Sequence, residues 1–301
     1  MRKIYLSKSR RNEKIFITFA LFFILILLSL MGLLLYQLLI SGLPYLSLKF
    51  LSAFPSRISS KAGIFPALIG TLYLILMTSF ISIPLGISSG LYLQFYAQKN
   101  RWTKMVEISI VNLASVPSII YGLLGLGVFV YQWKLGQSIL TGSLTLALLI
   151  LPIIIVTTRE SIKTIPKEII EAAFALGSEK WQVCLYHIIP YSMGGILTGT
   201  ILAISRALGE TAPIIAIGAV TFISFSPSSP INTSYPYLNF DFLYESFTAL
   251  PIQMFQWLSR PQEEFHALAS ATGLLLILVT IFLNIFAFTI RNKFRKKIKW
   301  Q

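Results

Sequence analysis

The stretch "TIPKEIIEAAFALGSEKWQVCLYHIIP", residues 164–190, separates two long apolar runs and is itself amphipathic. Pro166 suits the first turn of a helix, where no N–H donor is needed. Ile165, Ile169, Ala172, Ala173 and Leu176 then recur at helical spacing and predict one apolar face. Gly177 permits the left-handed backbone that ends a helix, and Ser178 is a good N-cap for the next. Trp181, Leu185 and Ile188 predict the apolar face of that second helix, and Pro190 a turn into the following run. Two short helices meeting at a glycine elbow would make a rigid knob, suited to docking in a partner's groove.

The chain around this knob reads as membrane protein. Of 301 residues, 55% are hydrophobic and 12% charged, with a mean hydropathy of +0.75. Soluble domains carry about 25% charged residues. Predominantly apolar runs at 15–40, 62–98, 108–133, 135–158, 190–222 and 265–290, all uncharged but for Arg206 and Glu210 in the fifth, each approach or exceed the roughly 20 residues that cross the hydrocarbon core. Backbone polar groups in lipid must bond internally, so the expected fold is all-α, a polytopic bundle of six transmembrane helices. The short alternating segments of a β-barrel are absent from the sequence. The first run is about twice the length of a signal-peptide core and reads as a retained helix. Pro117, Pro152 and the "SIPLG" at 82–86 predict kinks.

Lys and Arg concentrate in both termini and in the connections at 99–104 and 159–180, leaving Lys49, Arg57, Lys61, Lys134 and Arg260 for the opposite side. The positive-inside rule then predicts that both termini are cytoplasmic, with basic tails at 1–14 and 291–301 flanking a membrane domain at 15–290. No soluble domain is expected besides these. On the outside, 41–64 and 224–264 are long; the second holds the turn-rich "SPSSPINTSYPY" and then "YESFTALPIQMFQWLS", which predicts a short interfacial helix.

The net charge of +14 raises nucleic acid as a partner, but these cations lie between apolar runs and read as topology and lipid contacts. One cysteine, Cys184, and two histidines exclude an internal disulfide and a recognisable zinc site. Cys184 reads as a small helix residue and His187 as an interfacial polar one. Glu107, Glu160 and Glu168 read as solvated loop carboxylates, and no nucleophile, base and metal constellation suggests an enzyme.

The fifth run contains "ILAISRALGETAPIIAIGAV", residues 201–220, with Arg206 and Glu210 at i and i+4 on one face. Each charge at mid-membrane costs about 2.5–3.5 kcal/mol on insertion scales. Such groups pair, face the bundle interior or line a wet path. Arg before Glu is the less favourable order for an intrahelical pair. Two readings stand: a self-neutralising structural pair, or a fixed cation for a crossing anion with Glu210 positioning or gating it.

In the 164–190 segment the chain resembles the permease subunits of bacterial ABC importers. Their cytoplasmic loop carries Glu-Ala-Ala, three residues, Gly, nine residues, then Ile-x-Leu-Pro. Glu171, Ala172, Ala173, Gly177 and Pro190 match in register, while His187 and Ile189 depart from the usual isoleucine and leucine. The resemblance implies the type I importer permease fold, a coupling loop at 159–190 and an ATPase contact through those five residues and Trp181. The chain has no G-x-x-x-x-G-K-[ST] loop, and no Gly-Lys pair at all, so ATP hydrolysis by that route needs a separate subunit.

"SRALGETAPIIAIGA", residues 205–219, resembles the phosphate-importer permeases in particular. Sulfate and molybdate permeases share the Arg-Ala-Leu-Gly-Glu run, whereas Thr211, Ala212 and Pro213 look like the phosphate type. The segment "LPIQMFQWLSRPQEEFHALASATGLLLILV", leading to "LNIFAFTIRNKFRKK", resembles one of the two permease types of phosphate importers. This implies a non-catalytic subunit with Arg206, Glu210 and Thr211 on the substrate pathway. Its implied partners are a second permease, an ABC ATPase dimer using ATP and Mg, and an extracytoplasmic phosphate-binding protein. Phosphate at neutral pH can donate a hydrogen bond to a carboxylate and sulfate cannot, so Glu210 would favour phosphate. The alternatives are a sulfate or molybdate permease and a passive anion channel.

Overall fold

Apolar runs deprived of water must bond their own backbone groups, and the described residues do so almost entirely as helices. The computed structural model describes residues 2–297 except 220–222, 224, 226, 231–236 and 238, with backbone alone for 2–12 and 294–297. In chain order the helices are α1 (Arg2–Gly42), α2 (Leu48–Ser52), α3 (Phe65–Leu91), α4 (Arg101–Leu113), α5 (Ser118–Gly125) and α6 (Ile139–Lys163). There follow α7 (Lys167–Ala175), α8 (Lys180–Val183), α9 (Ile189–Gly209), α10 (Ala212–Ala216), α11 (Leu250–Leu258) and α12 (Glu263–Lys297). One isolated antiparallel bridge, Ser138 to Ser246, is the sheet-like pairing among the described residues.

Five stretches are long and apolar enough to cross a membrane unbroken, and the third expected span is bent by 104° between α4 and α5. The bend lies at "ASVPS": Pro117 has no N–H, disfavours helix in the residue before it, and restarts the chain as the N-cap of α5. The Tyr121 hydroxyl, one turn into α5, donates to the Leu113 carbonyl at 2.7 Å and closes the corner. Pro84 and Pro152, by contrast, lie inside continuous helices.

α6 is the centre of the bundle. Ile139, Leu146, Ile150 and Ile154 on it are buried, and α3 and α9 both pack against it. Both crossings use glycines four apart. A Cβ on Gly86 would lie 2.6 Å from the Ile154 side chain, and one on Gly90 2.7 Å from that of Thr158. Gly195 and Gly199 of α9 meet Ser161 and Thr157 as closely. Glycine here lets backbones approach and pack by dispersion, the main attraction left between helices in lipid. α1 stands outside this core and packs along α12, leaving most of its described side chains uncovered.

The two ends of the bundle are closed differently. At the end away from the knob, residues 245–258 are wedged inward: Phe247, Leu250, Ile252 and Trp257 are fully buried. The Leu250 N–H donates to Thr71 Oγ1 at 2.9 Å, and Gly70 leaves room for the Thr248 carbonyl. α11 is therefore a core element rather than the interfacial helix expected. The turn-rich 226–237 loop, the end of the fifth run at 220–222 and the tips of the basic tails lie largely outside the described residues. The backbone of the tails continues α1 from Arg2 and α12 to Lys297.

At the other end is the knob. Its elbow is as expected, with Gly177 at φ +84°. The cap of the second helix is Glu179, not Ser178: its side chain and that of Gln182 form a reciprocal capping box. The expected apolar faces are also rearranged. Ile165, Ala173, Val183 and Ile188 form the buried seam, while Ala172 and Leu176 point outward with Trp181 and Leu185. Pro190 marks no turn. A π-helical segment at 184–188 absorbs its missing hydrogen bond, and Lys180–Gly209 runs as one span.

Candidate functional site

The charged pair lies where α9 stops. Pro213 cannot donate to the Gly209 carbonyl four residues back, so the helix ends at Gly209 and restarts as α10 with the proline in its first turn. Glu210 is the C-cap, at φ −77° and ψ 116°, and Arg206 sits in the last turn, where its cation faces the negative end of the helix dipole. The pair is therefore at a helix end, not in the middle of an uninterrupted span. Arg206 Nε donates to Glu210 Oε1 at 3.2 Å. The arginine side chain is 42% exposed on the flank of the bundle and the glutamate 17%. Thr211, half-buried, follows directly as the N-cap of α10.

The break is held from behind. Pro213 and Ile214 are buried, and Gly122 of α5 brings its backbone against Pro213 and Ala216. The corner that bends α4 into α5 thus also seats the "GETAP" segment. Beside the arginine Ser205 donates to Asn284 of α12 at 2.5 Å, fixing the adjacent face of α9.

Ser192, Gly195, Gly199, Leu202 and Arg206 fall at alternating spacings of three and four, one stripe of α9. Beside that stripe Thr157, Glu160 and Ser161 of α6, Thr164 at its C-cap and Thr198 of α9 line an open groove of about 430 Å³. Each hydroxyl donates to a carbonyl at 2.7–2.8 Å; the oxygens of Thr157, Ser161 and Thr164 can still accept from water or a solute, while that of Thr198 accepts from Arg291 Nη1 at 3.0 Å. This groove runs along α9 from Leu202, one turn before Arg206, toward the knob, and the sequence reading missed it. Its signal was the hydroxyl spacing in "TTRESIKT", which period analysis of apolar residues passes over.

A second pair was misread. Glu107 is not a solvated loop carboxylate: it lies on α4, its Oε1 2.7 Å from Nη2 of Arg159 on α6, whose side chain is only 7% exposed. Glu160 does sit on the surface, 2.6 Å from Lys163.

On the knob, Glu171 and Ala172 are exposed, Ala173 is buried, and Gly177 has open space around it. Trp181 is 51% exposed and donates through Nε1 to Glu179 at 2.7 Å; Leu176 beside the elbow is 87% exposed. Phe174 stacks on Phe95 at the end of α3, anchoring the knob to the bundle. Pro190 is half-buried in the first turn of α9, away from the exposed tip. Cys184 is buried and His187 exposed.

Residues 82–300 match the family described as the binding-protein-dependent transport system inner membrane component. The chain belongs to this family. Among its relatives, the permease is 32% identical over 255 residues to the phosphate transport system permease protein PstA of Pasteurella multocida, covering 84% of this chain and 85% of that one. It is 32% identical over 257 residues to PstA of Haemophilus influenzae, covering 84% of each. It is 34% identical over 205 residues to a probable ABC transporter permease, YqgI, of Bacillus subtilis, covering 65% of this chain and 70% of that one.

Solved structures share the fold of the permease. A chain of the inward-facing MetNI methionine ABC transporter matches with a TM-score of 0.59 at 15% identity, over 77% of this chain and 97% of that one. A chain of a bacterial alginate ABC transporter in complex with an alginate-bound periplasmic protein matches with a TM-score of 0.61 at 15% identity, over 89% and 92%. The fold is that of type I ABC importer permeases, as the 164–190 segment implied.

Proposed function

We propose that this permease is a subunit of an ATP-driven inorganic phosphate importer, lining the anion path together with a second permease in a bacterial plasma membrane. The observation that carries the reading is Arg206, a cation 42% exposed on the flank of an apolar bundle, with one partially exposed carboxylate beside it. Left facing lipid, such a charge costs a few kcal/mol. Covered by a partner chain and a wet path, it becomes a fixed attractor for an anion. Relatives named as phosphate permeases over more than four-fifths of the chain support phosphate as that anion. Glu210 beside the arginine supports it again, since protonated phosphate oxygens can donate to a carboxylate.

In this mechanism Arg206 holds the anion, Glu210 orients the guanidinium and accepts from phosphate, and Thr211 adds a hydroxyl at the helix break. The hydroxyl groove between α6 and α9 offers the next stage toward the knob. The knob is cytoplasmic, as are both termini, because the basic connections lie on its side. Its exposed Leu176 and Trp181, with Glu171 and Ala172, dock on an ABC ATPase dimer that binds ATP and Mg; Ala173, Gly177 and Pro190 shape the surface they stand on. An extracytoplasmic phosphate-binding protein delivers substrate at the other end. This subunit carries out no covalent step. The relatives do not favour sulfate or molybdate, and a passive channel has no use for a docking knob.

The test is ATP-dependent uptake of radiolabelled phosphate by proteoliposomes of the full complex, competed with sulfate and molybdate, for wild type and Arg206→Gln. Selective phosphate uptake that disappears in the variant, with assembly and ATP hydrolysis preserved, is the expected result. Uptake at the wild-type rate in Arg206→Gln would make the pair structural, and competition by sulfate or molybdate would reassign the substrate.

A further inference from the structure

The end of α3, the start of α4 and the end of α6 enclose a cavity of about 620 Å³ that the transport path does not use. Lys99, Arg101, Lys104, Arg159 and Lys163 line it, against one carboxylate, Glu107. Glu107 is committed to Arg159, and Glu160 outside the cavity to Lys163. Lys99, Arg101 and Lys104 have no carboxylate within 4.0 Å among the described residues. Arg159 is 7% exposed, and its buried Nε has no acceptor among the described residues, so a buried cation here is only partly satisfied. The positive end of the thirteen-residue α4, capped by Asn100, opens on the same space.

A second groove of about 630 Å³ continues from this cavity, sharing Leu93, Asn100 and Thr103. Its walls change character: Tyr92, Val106, Ile110 and Ile155 are apolar. Trp102, 74% exposed, lies beside its mouth, the level at which aromatic side chains meet lipid headgroups. A basic cavity joined to an apolar groove matches a molecule with an anionic head and a hydrocarbon tail. Inorganic phosphate would use the first and leave the second empty.

We propose that this composite site binds an anionic phospholipid, its phosphate group among Lys99, Arg101, Lys104 and Arg159 and an acyl chain along Tyr92, Val106, Ile110 and Ile155. The proposal rests on the family and its membrane setting, not on phosphate being the transported anion. The bound lipid ties α4 to α6 next to the end of α3, where Leu91 and Phe95 pack against the buried seam of the knob. Its expected consequence is a stiffer support for the coupling loop.

The experiment uses the full complex delipidated in neutral detergent and titrated with dioleoylphosphatidylglycerol, dioleoylphosphatidylcholine or inorganic phosphate, reading thermal stability and, by native mass spectrometry, retained lipid. Wild type is expected to retain phosphatidylglycerol and to melt at higher temperature with it but not with phosphatidylcholine, while any shift from inorganic phosphate belongs to the transport path and is unchanged by neutralising Lys99, Arg101 and Lys104. The variant Lys99→Gln/Arg101→Gln/Lys104→Gln removes three exposed cations that no ion pair needs, so it folds. It should bind the lipid about a hundredfold more weakly, at the scale each surface cation contributes to an anionic headgroup. The control Lys14→Gln/Lys293→Gln, on the same basic side, should bind it normally. Filling the groove with Ile110→Trp should lower retention of the lipid as well. Equal binding by the triple variant, or an equal response to phosphatidylcholine, overturns the proposal. A shift by inorganic phosphate that the triple variant abolishes would leave a free-anion site and overturn the lipid.

Discussion

Arg206–Glu210 and Arg159–Glu107 are both arginine–glutamate pairs in an apolar bundle, yet one lies within a single helix and the other ties two helices together. The first is local. Its residues are four apart, it forms as soon as α9 does, and the arginine remains substantially exposed. Nothing in the packing of the chain depends on it. The second closes a separation of fifty-odd residues around a side chain that is 7% exposed. A buried pair of this kind is costly to break because the remaining charge is stranded. A charge whose loss the fold would barely register is available for a solute, whereas a charge the fold depends on can accept an additional ligand only as reinforcement.

The largest stability change should follow removal of the buried cation's partner: Glu107→Gln strands the 7%-exposed Arg159 and is expected to cost about 3–5 kcal/mol, read as a drop in melting temperature in detergent. A wild-type melting curve for this variant would erase the contrast. Next comes the crossing on which the exposed stripe stands: Gly199→Leu forces α9 away from Thr157 and should cost about 1–3 kcal/mol, with transport falling alongside stability. Gly177→Ala requires a β-carbon at φ +84° with open space around it, so backbone strain alone should cost about 1–2 kcal/mol. Its signature would be ATP hydrolysis less tightly linked to uptake. The exchange Arg206→Glu/Glu210→Arg puts the pair in the favoured helical order and should change stability by only a few tenths of a kcal/mol. Uptake should nevertheless be lost, since the cation has moved a full turn. Smallest of all is Glu160→Gln: its exposed pair with Lys163 should be worth under about 1 kcal/mol, within the error of most melts.

Much of this was legible in the sequence because the membrane enforces simple rules. The apolar runs became helices, and Gly177 ended α7 because left-handed backbone is cheap only for glycine. Period analysis failed wherever a hydrogen bond or a contact distant in sequence decided the outcome. Pro117 was read as a kink, but the 104° corner depends on Tyr121 reaching back to Leu113. Pro213 was read only as a family mark, although its missing N–H ends α9 and sets the charges at a helix terminus. Glycines four apart in "GISSG" and "GILTG" carry no hydrophobic signal, yet they fix both crossings of α6. α11 was amphipathic enough for an interface, and only the pocket for Trp257 between α2 and α12 makes it core. Glu107 could not be assigned to Arg159 without knowing that α4 bends back across α6.

The span Lys180–Gly209 is unbroken from the exposed tryptophan of the knob to the charged pair. Its π-helical segment keeps hydrogen bonding through Pro190 where an ordinary proline kink would have made a hinge. Mechanically this is a lever. Between Lys180 and Arg206 it is about 39 Å long at 1.5 Å per residue, so a tilt of about 10° imposed at the docking end would carry the guanidinium roughly 7 Å. That displacement exceeds the reach of a hydrogen bond, so a small motion at the docked end would be enough to release an anion from the arginine.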